Sequence, residues 1–326
     1  MNTRWVARIA ILALSMAGFG VLAIDAHAQS YPNKPITFIV PFGPGTGNDV
    51  VARIIAQKVG ENGTVQMVVD NRPGASGTIA LELTAKSPPN GYTIVIASTS
   101  QILAQFVAKV RFDILKDFAP VSVAGSLPYV MAVASSSPIK SVDELVARAK
   151  ARPGKLSYSG GMVGGVPHFM GVMLLSARNI DMVMVPYKST TDAQADVFAG
   201  RVEVWFTTLA SALPQVKAGK IRILGVTGGK RAAALPDVPS MQEAGVPTLD
   251  ASVTFFILAA AGTPRSATSA LNAEIVKAIS AKDVRDRLMA AGVEPMSSTP
   301  EELERLLKSE VARWGKVIKE SGYHAE

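Results

Sequence analysis

The chain has 326 residues, with 33 Lys and Arg against 26 Asp and Glu, a formal net charge of +7, no Cys and 48% hydrophobic residues. This balance excludes disordered and fibrous classes, and the absence of Cys excludes disulfide frameworks, thiol catalysis, Fe–S clusters and Cys-ligated zinc. The length corresponds to about two domains, so a ligand cleft between them is available.

The N-terminus has Arg4 and Arg8, an apolar run from Ile9 to Ile24, and Ala26-His27-Ala28 before Gln29. That is the layout of a cleavable signal peptide over residues 1–28. A membrane anchor is the competing reading, but the run is shorter than the about 20 residues a span requires. No second run of that length follows, so the mature protein is expected to be soluble and periplasmic. Its basic residues are dispersed without aromatic interleaving, which argues against nucleic acid as a partner.

The mature chain opens with a β-rich run, Ile36 to Val40, and a Gly-rich loop ending at Gly47. Val50, Val51, Ile54, Ile55 and Val59 then recur at three- and four-residue spacing and predict a helix with one apolar stripe. A strand at Val65 to Val69, the loop Asn71 to Gly77, a helix at Thr78 to Lys86 and a strand at Tyr92 to Ala97 follow. Strand–helix alternation predicts a mainly parallel sheet flanked by helices.

Tyr129 to Ala134 reads as a strand, and Ser141 with Glu144 forms a capping box opening a helix that stops before Pro153-Gly154. Met182–Val185, Val202–Phe206 and Ile221–Val226 are further strands, with helices around Phe169–Arg178, Thr191–Ala199 and Ser211–Ala218 before and between them. After a strand at Val253 to Ala260 only helices are predicted. The last has Thr299 and Glu302 as a capping box, Pro300 at its first position, and a stripe of Leu303, Leu306, Leu307, Val311, Trp314, Val317 and Ile318. This tail is expected to return to the first sheet. Domain 1 is then discontinuous, residues 29–128 plus 253–326, with domain 2 at 129–252 and a hinge where the chain crosses.

The most informative segment is Phe42 to Asp49. A Gly-rich loop between a strand and a helix aims unpaired backbone N–H groups at one point, at the positive end of the helix dipole, and so suits an anion. A tight turn that merely exploits glycine is the plainer reading. A dinucleotide fingerprint also competes, because Gly43, Gly45 and Gly47 precede Asp70 on the next strand, but the third Gly comes one position early. A second Gly-rich run, Ser157 to Gly165, precedes His168 near a helix start, where the dipole favours a neutral imidazole over a catalytic base. Neither G-x-S-x-G nor H-E-x-x-H occurs, so the sequence nominates no catalytic residue and no metal site. An exported hydrolase or dehydrogenase using the same cleft is the alternative to a binding protein.

Over Tyr31 to Gly322 the chain resembles the periplasmic solute-binding proteins of tripartite tricarboxylate transporters, the Bug family. The resemblance rests on Tyr31-Pro-Asn-Lys-Pro-Ile36, Val40-Pro-Phe42, Asp49-Val-Val-Ala-Arg53, Asn71-Arg-Pro-Gly-Ala75, Val185-Pro-Tyr-Lys188, Leu235-Pro-Asp-Val-Pro239 and Ala261-Gly-Thr-Pro264, in that order. It implies a two-domain α/β Venus-flytrap receptor, without cofactor or metal, that captures a small carboxylate and delivers it to the membrane subunits of such a transporter. A sensor kinase is a further conceivable partner, and a monomer is expected. Carried over by position, the ligand contacts are Phe42, Thr46, Gly47, Asn48 and Asp49, with Ser98 and Ser100, from domain 1. From domain 2 they are Ser159, Gly160, Gly161, His168, Thr190 and Thr207. Thr207 stands where the family often has an Asp able to face a ligand amino group, which favours a dicarboxylate or aromatic carboxylate without an ammonium group.

Overall fold

The computed structural model describes residues 31–323 except 64, 160, 188 and 189, and only the backbone of 190 and 191. Residues 1–28, expected to be a signal peptide, lie outside the described residues. No helix among the described residues is long and apolar enough to cross a membrane.

The first half follows the predicted alternation closely. Strand β1 (Ile36–Val40) pairs in parallel with β2 (Met67–Asn71) and β3 (Thr93–Ser98), so that Thr37 lies between Val68 and Thr93. Helix α1 (Gly47–Glu61) buries Val51, Ile54, Ile55 and Val59 of the predicted stripe, with Val50 only partly covered and Ala52 buried beside them, and packs on these strands, while α2 (Thr78–Ala85) follows the second loop. Helix α3 (Thr99–Val107) starts directly at the end of β3.

The sheet changes character at β4 (Phe118–Ala134), 17 residues long where the sequence pattern marks only its last six. Pro120, Gly125 and Pro128 disguise its first part, and register shifts between Pro120 and Ser122 and between Val123 and Gly125 accommodate them as bulges. Up to Pro128 its partner is β9 (Ser252–Ala260); from Tyr129 onward its partners are β7 (Val204–Thr208) and β8 (Ile221–Val226). Beyond β7 lie β5 (Ser157–Ser159) and β6 (Val183–Val185), giving the order β2-β1-β3-β9-β4-β7-β5-β6, with β8 also on β4. Pairing is parallel in the two outer groups, β2-β1-β3 and β7-β5-β6, and antiparallel at β9 and β4. The result is an α/β sheet more mixed than the alternation alone predicts, because β9 and β4 run between the two parallel groups.

The second half carries α4 (Val142–Ala151), α5 (Val166–Arg178), α6 (Thr190–Phe198) and α7 (Leu209–Lys217), and the C-terminal part carries α8 (Arg265–Ser280), α9 (Lys282–Ala290) and α10 (Pro300–Glu320). One core lies between α1, α8, α9 and the first strands, and another surrounds Trp205. A third runs through both halves and includes Leu303, Leu307, Trp314 and Ile318 of α10. The last helix thus packs on β4 and α3 as expected and continues onto α5, where the Trp314 and Phe169 rings lie 6.3 Å apart.

Candidate functional site

The strand register fixes where a site can form. Ser98, the last residue of β3, lies opposite Phe255, which lies opposite Gly125; Thr208, the last residue of β7, lies opposite Tyr129. The carboxyl ends of the two parallel groups therefore approach one stretch of β4 from opposite directions. They arrive four residues, or roughly 13 Å, apart. Ligands of open α/β sheets bind outside the carboxyl ends of the strands, and here two such edges face each other.

On the first edge, α1 starts without a side-chain cap, because Thr46 Oγ1 donates to the Gly43 carbonyl at 2.9 Å instead. The N–H groups of Gly47, Asn48 and Asp49 find neither a cap nor a turn acceptor among the described residues, which leaves first-turn donors for an anion. Gly47 has to be small, since a Cβ there would sit 3.0 Å from the Phe255 ring.

The Asp49 side chain is fully engaged within the protein. Its carboxylate is buried, accepts from Gly45 N–H at 2.9 Å and Asn71 Nδ2 at 2.8 Å, and pairs with Arg53 at 2.9 Å. Burial alone would raise its pKa, but these partners together hold it below the usual carboxylate range. Asn48 Nδ2 donates to the Ile96 carbonyl at 3.3 Å.

Ser98 is fully buried, and its N–H and Oγ both donate to Gln101 Oε1, while Gln101 Nε2 reaches the Ser76 carbonyl at 3.0 Å. These bonds give three of the expected contact residues partners within the protein. The side chains of Asn48, Asp49 and Ser98 brace the loops rather than present themselves. Phe42 and Ser100 do line the cleft.

On the second edge, Ser159 Oγ is buried without a hydrogen-bond partner among the described residues, an arrangement that costs free energy unless something polar occupies the adjoining space. That space is a chamber of about 260 Å³ whose walls include Ser159, Gly161, Tyr187, Thr207, Thr208 and Ser211. Tyr187 Oη donates to Asp196 at 2.6 Å, and burial together with that carboxylate pushes its pKa up to about 12, so the ring is a fixed, neutral wall. Gly161 has φ +60° and its carbonyl accepts from Tyr187 N–H. His168 does not line this chamber: its Nδ1 accepts from Gly164 N–H at 3.1 Å, and burial lowers its pKa, consistent with the expected neutral imidazole. Gly160 and the Thr190 side chain lie outside the described residues.

A second chamber, of about 320 Å³, is walled by Phe42, Ser76 and Ser100 from the first half and by Met162, Val163 and Gly164 from the second. Met162 belongs to the walls of both chambers, so the two adjoin there. Ser76 and Met162 were not among the expected contacts. Ser76 is a non-glycine residue at φ +55°, held there beside Gly77, where a Cβ would come within 2.6 Å of the Gln101 side chain.

The chain matches the family described as the tripartite tricarboxylate transporter family receptor, TctC, over residues 51–323. It is 38% identical over 314 residues to a UPF0065 protein in the tcbD-tcbE intergenic region of Pseudomonas sp. strain P51, covering 96% of this chain and 93% of that one. It is 32% identical over 317 residues to protein BugT of Bordetella pertussis, covering 96% and 97%.

Among solved structures, R. palustris Rpa4515 with adipate is similar at a TM-score of 0.77 and 32% identity, covering 91% of this chain and 100% of that one. MatC (Rpa3494) from Rhodopseudomonas palustris with bound malate is similar at 0.72 and 26%, covering 88% and 100%. The protein belongs to the tripartite tricarboxylate transporter receptor family and has the fold of its periplasmic binding proteins. This is a family of solute-binding receptors and not of enzymes, so the hydrolase and dehydrogenase alternatives fall away.

Proposed function

We propose that this chain is a monomeric periplasmic receptor, exported by the segment 1–28, that captures a small carboxylate between two lobes and hands it to a tripartite tricarboxylate-type membrane transporter. The lobes are residues 29–128 with 253–326, and 129–252. The observation that carries this reading is the cleft itself, with Phe42, Ser76 and Ser100 on one side and Met162 to Val166 on the other. A ligand touching both walls binds the closed form better than the open one, and that difference drives closure.

One carboxylate is taken by the free amides at the start of α1, and the other end of the ligand by the hydroxyls around Ser159 and Thr207. Hydrogen bonds to a charged acceptor contribute about 1.5 to 3 kcal/mol each, so two such sets support a micromolar dissociation constant, about −8.2 kcal/mol, after ordering costs. Among the described residues neither chamber has an Asp or Glu in its wall to face an ammonium group, which supports a dicarboxylate or aromatic carboxylate over an amino acid. The bound adipate and malate of the two structural relatives point the same way.

The test is a thermal-shift screen of mono- and dicarboxylates followed by native mass spectrometry. A receptor gains thermal stability with its ligand and returns it chemically unchanged. No shift with any carboxylate rejects the reading.

A further inference from the structure

The two chambers of the cleft differ in chemistry. The one around Ser159 is rich in hydroxyls, whereas the one beside Phe42 is nearly all hydrocarbon. One of its walls is the face of α3 that presents Leu103, Ala104 and Val107; the opposite wall is Met162 and Val163, and only Ser76 and Ser100 bring hydroxyls to it. Met162 and Val163 are 63% and 55% exposed, yet they sit in a run otherwise made of Gly161, Gly164 and Gly165. Two large apolar side chains on a glycine loop keep water against hydrocarbon until something apolar covers them. The loop is not loosely placed. Gly165 N–H donates to the Met162 carbonyl at 3.1 Å, Gly164 is tied to His168, and a Cβ on Gly164 would lie 3.3 Å from Tyr323 Oη.

Charge narrows the occupant. Among the described residues, no Lys, Arg, His, Asp or Glu belongs to the wall of either chamber. A carboxylate pushed in among Leu103, Val107 and Val163 would lose its water among side chains that offer only the Ser76 and Ser100 hydroxyls in return. Hydrocarbon entering the same space loses nothing. Met162 stands in the walls of both chambers, so the apolar one adjoins the polar one at that residue.

We propose that the chamber beside Phe42 is a specificity subsite that receives the hydrocarbon body, ring or chain, of a carboxylate whose charged end stays on the amides and hydroxyls of the remaining cleft. The proposal rests on the receptor reading above and goes further in ranking ligands. Apolar-bodied carboxylates bind more tightly than short polyanions, and Met162 and Val163 set the difference.

The experiment is calorimetric titration of the mature protein with butanoate, pentanoate, hexanoate and benzoate, and with malonate and malate, repeated on Met162→Ser and Val163→Ser. Both positions are exposed, and unchanged melting temperatures of the free variants check that they fold. The expected result is a Kd that falls by about fourfold for each added methylene, the worth of burying one CH2. Benzoate binds tighter than malonate, and each serine variant weakens hexanoate and benzoate at least tenfold while leaving malonate unchanged.

Affinity that is flat in chain length, or highest for malate and indifferent to both substitutions, overturns the subsite and leaves the receptor reading standing. Loss of self-association in sedimentation, with unchanged carboxylate affinity, also overturns it, since the two side chains then cover a second copy. Binding of no carboxylate at all removes the receptor reading and the subsite with it.

Discussion

The backbone N–H of Gly164 donates to Nδ1 of His168 at 3.1 Å, and this bond ties the loop that walls both chambers to the first turn of α5. An imidazole can accept there only while Nδ1 carries no proton. Burial lowers the His168 pKa below its ordinary 6.5, so the folded protein binds its proton less readily than the unfolded chain does. The stabilisation is therefore complete above pH 6.5 and declines as the pH falls from there toward the depressed value. Melting temperature and ligand affinity should both drop between pH 7 and pH 5. His168→Asn, which keeps an acceptor but does not titrate, should flatten that part of the profile, and identical pH profiles for the two proteins would show that His168 has no such role.

Ser159→Ala should move stability and affinity in opposite directions. Its Oγ is buried and unpartnered in the free protein, so its removal relieves a polar group that cost about 1 kcal/mol or more to bury. The free variant should melt at or above the wild-type temperature while its ligand dissociates roughly tenfold more readily, about 1.4 kcal/mol. Equal affinity in the two proteins would mean that the hydroxyl faces no ligand.

Asp49→Ala removes the acceptor shared by Gly45 N–H, Asn71 Nδ2 and Arg53. Arg53 is half exposed and can recover water, so the cost is that of the buried donors, about 2 kcal/mol. Chemical denaturation should register that loss. Because the Asp49 pKa is depressed in the folded state, its contribution is full above its ordinary pKa of 3.8 and is lost as acid takes the pH through the lower folded value. An Asp49→Ala protein as stable as wild type at pH 7 would contradict the bracing role.

Asn48→Asp puts a negative charge into the first turn of α1, beside the amides assigned to a carboxylate, and breaks the bond to the Ile96 carbonyl. Like charges at this spacing should raise Kd about tenfold or more. An unchanged Kd would remove this helix start from the site.

Much of the scaffold was legible because burial leaves a period in the sequence. The Val50 to Val59 stripe, the Ser141 and Thr299 caps and the apolar face of α10 all stand where the spacing puts them. The misses have physical causes. Helix α3 follows β3 with no intervening loop, and Thr99 inside its first turn reads as strand. The first part of β4 hides behind Pro120, Gly125 and Pro128, which only a bulged register can absorb.

Within the site, Phe42, Ser100 and Thr207, which the family resemblance carries over by position, stand in the chamber walls. Residue type could not separate contacts from braces, because Asp49 and Ser98 are turned inward by partners 22 and 3 residues away. Ser76 escaped notice as a cleft residue because its placement depends on a left-handed backbone between two glycines. Met162 and Val163 were visible as large side chains in a glycine run, a signal that gained meaning once the opposite wall of α3 was in place.

The central claim is that one ligand draws the two opposed strand edges together across β4. Small-angle scattering of the mature protein with and without its best-bound carboxylate tests it directly. The account predicts a smaller radius of gyration and a shorter maximum dimension at saturating ligand. Superimposable curves at demonstrated saturation would contradict it.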